Sequence, residues 1–155
     1  MRRIAILFII TLLIFLSSCG EPRGSEELMA EFLLGYGEVG TLYTPSVPEG
    51  ERGFAYEGFL EALYGDISGG VSDFAIVLRS DGMETYECAV FVAHSEYDAS
   101  LISDACYSRL ELIKSLTVGE GAHLDDAFVM RRGETVVFCA LSDGALAEAL
   151  WKSIL

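Results

Sequence analysis

The sequence predicts one α+β domain: a four-stranded antiparallel sheet in ββαββα order, two helices on one face, and an N-terminal helical arm ahead of it. Three observations predict it. Apolar residues alternate with period two in four stretches after residue 70, helical spacing fills the segments between and after them, and turn residues join the strands in pairs. A chain of 155 residues has room for one core, and 52% hydrophobic against 22% charged residues gives enough apolar surface to offset the entropy of ordering it.

The elements follow in order. Ser25-Glu26-Glu27 opens a helix with Leu28, Met29, Phe32 and Leu33 on one face and Gly35 and Gly37 as stops. Glycine with Pro45 and Pro48 marks residues 38–53 as an extended connection. A short helix over Tyr56–Tyr64 carries Phe59, Leu60 and Leu63, and completes an arm of residues 26–66. In the globular region, residues 67–155, Phe74, Ile76 and Leu78 alternate along a first strand, Ser80-Asp81-Gly82 turns it, and Tyr86–His94 forms a second. Asp98, or Ser95 before it, caps a long helix to about Leu116 whose apolar side is Leu101, Ile102, Ala105, Leu112, Ile113 and Leu116. Phe128–Arg131 and Thr135–Leu141 form a second hairpin around Arg132-Gly133-Glu134. Ser142-Asp143 caps a last helix carrying Leu146, Leu150 and Ile154. "CAVFVAHSEYDASLISDA" and "TVVFCALSDGALAEAL" echo each other as strand-to-helix steps.

Alternation places Phe74, Ile76, Leu78, Cys88, Val90, Val92, Phe128, Met130, Val137, Cys139 and Leu141 on one sheet face. Ala75, Val77, Ala89, Phe91, Ala93, Val129, Phe138 and Ala140 fall on the other. The second face is too apolar for water, so the N-terminal helices, with Phe32, Leu33, Phe59 and Leu63, are expected to cover it at least in part.

Twenty-four acidic residues against ten basic ones give a formal charge of -14. That sign repels phosphate backbones and anionic head groups, so nucleic acid is excluded as a partner and contact with a bilayer has to come from elsewhere. The opening segment supplies it. Arg2 and Arg3 precede thirteen residues, Ile4–Leu16, broken only by Thr11. This run is short for a spanning helix, which needs about 20 apolar residues, and normal for a signal peptide. Leu16-Ser17-Ser18-Cys19 followed by Gly20 resembles the lipobox of bacterial lipoproteins. The resemblance implies a signal peptide of residues 1–18, cleavage between Ser18 and Cys19, a diacylglyceryl thioether on the Cys19 sulfur with acylation (palmitate) of the freed amine, and a tether of residues 19–25. The partner so implied is the cell membrane, reached through the lipid on Cys19 and facing the extracytoplasmic side. Residues of about 70 to 155, with "SDFAIVLRS", "CAVFVAHS" and "SDACYSRLELIKSL", also resemble small bacterial lipoproteins whose globular part is an uncharacterised domain. That second resemblance implies no catalytic or binding residue.

No residue pattern points to catalysis, a metal or a cofactor. His94 and His123 lack a second ligand at zinc spacing, and His123 with Asp125 and Asp126 reads as a solvated loop. Cys88, Cys106 and Cys139 sit inside elements among apolar neighbours, either as buried thiols or with one disulfide among them. A nucleophilic Cys106 beside His94 is the enzymatic alternative. Asp81, Glu84 and Glu87 read as a solvated acidic run, and the glycine-rich stretches 65–70 and 119–121 as turns. Tyr36, Tyr43, Phe54, Tyr56 and Tyr64 either pin the arm or line a ligand groove. The expectation is therefore a non-enzymatic, acidic lipoprotein that binds an envelope protein, with a small-molecule or cation-binding subunit as the alternative.

Overall fold

The computed structural model describes residues 23–37, 39–45, 56–81, 84–116 and 124–155. The element order is α1 (Ser25–Tyr36), β1 (Thr41–Tyr43), α2 (Tyr56–Tyr64), a 3-10 turn (Ser68–Gly70), β2 (Val71–Asp81), β3 (Glu84–Ala93), α3 (Glu96–Leu116), β4 (Phe128–Arg132), β5 (Thr135–Ala140) and α4 (Gly144–Ile154). The fold is α+β and the sheet antiparallel, but it has five strands in the order β1-β2-β3-β5-β4. Four strands in ββαββα order are thus corrected. The segment read as an extended connection supplies an edge strand, Thr41, Leu42 and Tyr43 lying opposite Leu78, Val77 and Ile76. Three residues are too few to display a period. Gly40 leads into this strand, where a Cβ would lie 2.6 Å from the Leu78 carbonyl oxygen, so only glycine lets the chain come that close.

The two helices expected together on one face, α3 and α4, are corrected: they lie on opposite faces of the sheet. On one face α2 and α3 bury Leu60, Tyr64, Ala99, Ile102, Cys106, Leu110 and Ile113 against Phe74, Ile76, Ala89, Phe91, Val136, Phe138 and Ala140. On the other, α1 and α4 bury Leu28, Met29, Phe32, Ala147, Trp151 and Ile154 against Ala75, Val77, Cys88, Val90, Val137 and Cys139. The N-terminal helices therefore separate: α1 covers one face beside α4, and Phe59 and Leu63 of α2 join α3 on the other. Both faces being apolar, helices on one side would have left the second in water.

The face assignment is corrected in β2. Asp81 pairs with Glu84, which sets Ile76 opposite Ala89 and Phe74 opposite Phe91. Directly paired residues share a face, so Phe74 and Ile76 lie with Ala89 and Phe91, not with Cys88 and Val90. A slip of one residue at the turn turns over the whole strand. A bulge between Val71 and Asp73 then returns Val71 to the face of Phe74.

Helix ends obey local chemistry. Ser25 donates its N–H to Asp73 Oδ2 at 2.8 Å, so a β2 carboxylate closes the start of α1. Gly37, at φ +105°, ends it by donating to the Leu33 carbonyl at 2.9 Å. Ser95 Oγ caps α3 by accepting from Asp98 N at 3.1 Å, and Asp143 Oδ1 caps α4 by accepting from Leu146 N at 2.9 Å. Within α3 the buried stripe is Ala99, Ile102, Cys106, Leu110 and Ile113, while Leu101, Leu112 and Leu116 are exposed. In α4, Ala147 and Trp151 go inward and Leu146 outward. Phe32 stacks on Trp151 with centroids 4.8 Å apart, joining α1 to α4.

Candidate functional site

Among the described residues, two places concentrate polar groups. The first is buried. Glu87 shares its sheet phase with Ala89 and Phe91, which aims it at the α2–α3 face between Leu78 and Ala140 of the flanking strands. Arg109 follows Cys106 by three residues on the inward stripe of α3, and Tyr64 closes α2 above them. Arg109 forks onto the carboxylate: Nη2 donates to Oε2 at 2.7 Å, and Nε to Oε2 at 3.1 Å and Oε1 at 3.4 Å. The Tyr64 hydroxyl donates to Oε1, and its ring meets the Phe91 ring edge-on at 5.0 Å. Glu87 is fully buried and the Arg109 side chain 12% exposed, so the charge is neutralised by the paired geometry that a buried ion requires.

This cluster holds β3, α2 and α3 together. Burial, and then the Glu87 charge, push the Tyr64 hydroxyl well above its ordinary value of 10.0. Burial, and then Glu87, likewise push the Cys106 thiol far up, which keeps it protonated and poorly nucleophilic. His94 is exposed just beyond the far end of β3, seven residues or roughly 23 Å along the strand from Glu87. Cys106 and His94 are not brought together as a nucleophilic pair.

The second place is a cleft of about 340 Å³ lined by Arg23, Leu28, Val92, Arg132, Glu134, Thr135 and Leu155. It lies where the chain enters the fold. Arg23 is held there by Glu31 Oε2 at 2.6 Å and by the Ile154 carbonyl. Arg132 comes from the β4–β5 turn, which Gly133 makes by taking φ +59°. The Arg23 and Arg132 guanidinium groups share the lining with the Glu134 carboxylate over an apolar floor of Leu28, Val92 and Leu155, and Arg23 is already paired with Glu31.

The residues singled out from sequence fall out as follows. Ser18 and Cys19, the cleavage and lipidation positions, and His123 lie outside the described residues. Asp125 and Asp126 are exposed in a turn. Glu87 is corrected: it is buried, not part of a solvated run. Tyr36 stacks on Phe32 at 5.2 Å on one face, while Tyr43 stacks on Phe59 at 4.8 Å and Tyr64 is buried on the other. The sheet therefore separates Tyr36 from Tyr43 and Tyr64. Phe54 and the Tyr56 side chain lie outside the described residues. Cys88 and Cys139 meet on one face and Cys106 is across the sheet. The Glu87–Arg109 pair had a legible signal: Glu87 continues the inward phase of Ala89 and Phe91, and Arg109 interrupts an apolar helical stripe.

Among the described residues, no group of three His, Cys, Asp or Glu side chains is placed to hold a metal ion, and no helix is long and apolar enough to cross a membrane. No protein-family model, curated protein or solved structure matches the chain.

Proposed function

We propose that the chain is a lipoprotein, anchored through Cys19 on the outer side of the cytoplasmic membrane, whose domain works by binding an envelope component rather than by catalysis. One observation carries the reading: Arg2-Arg3, the apolar run Ile4–Leu16 and Leu16-Ser17-Ser18-Cys19-Gly20 coincide in the order that lipid modification needs. Two acyl chains on the sulfur would hold the domain stably where one would be marginal, each buried methylene contributing about 0.8 kcal/mol. In cells the wild-type chain should fractionate with membranes and incorporate labelled palmitate. Cys19→Ser should release it or stall the precursor; a mature, membrane-bound Cys19→Ser protein would overturn the anchor.

The cleft favours a second reading, a subunit that captures a small anion. Arg23 is four residues from Cys19, at most about 14 Å of extended chain, so the cleft would open near the bilayer surface. Arg132 supports an anion rather than the cation considered from sequence, with Glu134 in the same lining and Arg23 already paired with Glu31. Small carboxylates and phosphates that bind should raise the melting temperature in proportion to the logarithm of their concentration, and Arg132→Ala should abolish the rise. A rise unchanged in Arg132→Ala would remove the cleft from consideration.

A further inference from the structure

We propose that Cys88 and Cys139 form a disulfide between β3 and β5 as the chain folds in an oxidising compartment, with Cys106 left as the free thiol. The compartment rests on the export reading above; the pairing rests on geometry. Cys88 and Cys139 lie directly opposite in the β3–β5 register, on the same face, with Sγ atoms 3.5 Å apart. Residues directly opposed in an antiparallel pair have Cα atoms about 4.5–5.5 Å apart, inside the roughly 4.4–6.8 Å that disulfides take. Closing the sulfurs to about 2.05 Å needs a small turn of two side chains and no sliding of strands. Cys106 belongs to the cluster on the opposite face, so the sheet itself separates it from both.

The oxidant is a disulfide, either oxidised glutathione or an oxidised dithiol protein of the compartment. One cysteine, as thiolate, attacks a sulfur of that disulfide and expels a thiolate, leaving a mixed disulfide. The second cysteine then attacks the mixed disulfide from the chain side and expels the other half of the oxidant. Two thiols of the protein become one S–S bond, and the oxidant takes up the two electrons and two protons as a pair of thiols. Cys88 and Cys139 are 0% and 1% exposed in the finished fold, and burial, then the neighbouring Cys88, hold the Cys139 thiol protonated. The exchange therefore belongs to the folding chain, and strand pairing afterwards shields the bond from reductants.

The test uses the full-length chain carrying Cys19→Ser, unfolded and reduced in denaturant and refolded in detergent with oxidised and reduced glutathione. Expected are one maleimide-reactive thiol in place of three on subsequent unfolding, a linked peptide joining Cys88 to Cys139, and a melting temperature higher by on the order of 5–10 °C than the reduced protein. Cys88→Ala should abolish the link, and Cys106→Ala should keep it. Three free thiols after refolding, or a link through Cys106, overturns the pairing. In a second arm, wild-type chain is isolated from cells with an oxidising envelope, and its location and thiols are scored separately. Membrane-bound mature protein with a reduced pair overturns acquisition of the bond while sparing the anchor. A chain retained in the cytoplasm that still oxidises on refolding overturns export while sparing the pairing.

Discussion

Arg109→Met should be among the most damaging single changes in the domain. It leaves the Glu87 carboxylate fully buried with only the Tyr64 hydroxyl to meet it, after loss of the contacts at 2.7, 3.1 and 3.4 Å. Breaking one partner of a buried pair costs about 3–5 kcal/mol, against a total stability of about 5–15 kcal/mol for a domain of this kind. At this size the corresponding fall in melting temperature is roughly 10–15 °C. Urea unfolding at neutral pH reads it through Trp151, the one tryptophan of the chain, which is buried and stacked on Phe32. The informative companion is the triple variant Tyr64→Phe, Glu87→Leu, Arg109→Met, which makes every member apolar. Buried ion pairs replaced whole by apolar residues are often neutral or better, so it should lie within about 2 kcal/mol of wild type. An Arg109→Met cost under about 1 kcal/mol, or a triple variant weaker than Arg109→Met, would refute an ion pair held in place by its own desolvation.

Tyr64→Phe removes one donor from Glu87 and should cost about 1–2 kcal/mol in the same assay; no loss would mean that the hydroxyl contributes nothing to holding the carboxylate. In the reduced protein, stability should fall above about pH 9, the ordinary thiol value, and more steeply beyond 10.0, that of tyrosine. There the unfolded chain releases protons that the buried Cys106, Cys139 and Tyr64 retain, so unfolding is favoured as pH rises, whereas below both ordinary values these groups contribute no slope. A urea midpoint that stays flat from pH 8 to 10.5 would contradict it. Gly144→Ala should destabilise by about 1–3 kcal/mol, since a Cβ would sit 2.4 Å from the Asp126 carbonyl oxygen. Gly58→Ala, in an exposed part of α2 with open space around its Cβ, should instead stabilise by about 0.5–1 kcal/mol; equal effects at the two positions would deny the close approach of α4 to Asp126.

Local periodicity was enough to locate most of the elements, because the period of a strand or a helix belongs to a few neighbouring residues. The helix before Gly37, the helix ending at Tyr64, both hairpins and the cap at Asp143 were legible along the chain; for α3 the sequence offered Asp98 or Ser95, and Ser95 is the cap. So was the need for helices on two apolar sheet faces, which follows from Ala75 and Val77 alternating with Phe74 and Ile76. The anchor reading, from Arg2 to Gly20, likewise rests on residue order alone.

Tertiary structure decided what depends on distant partners. α3 carries two overlapping apolar stripes, and the one with small residues, Ala99 and Cys106, lies against the sheet while Leu101, Leu112 and Leu116 face outward. β1 is a strand only because Leu78, Val77 and Ile76 offer it an edge. Glu87 shares the phase of Ala89 and Phe91 along β3, but whether it meets water or Arg109 turns on which face of the sheet receives α3 and on the rotation of that helix, neither of which a short stretch of sequence contains. The same holds for Cys88 and Cys139, 51 residues apart along the chain and 3.5 Å apart at their sulfurs. Period is a local property of the chain; register and face are set by the free energy of burying one element against another.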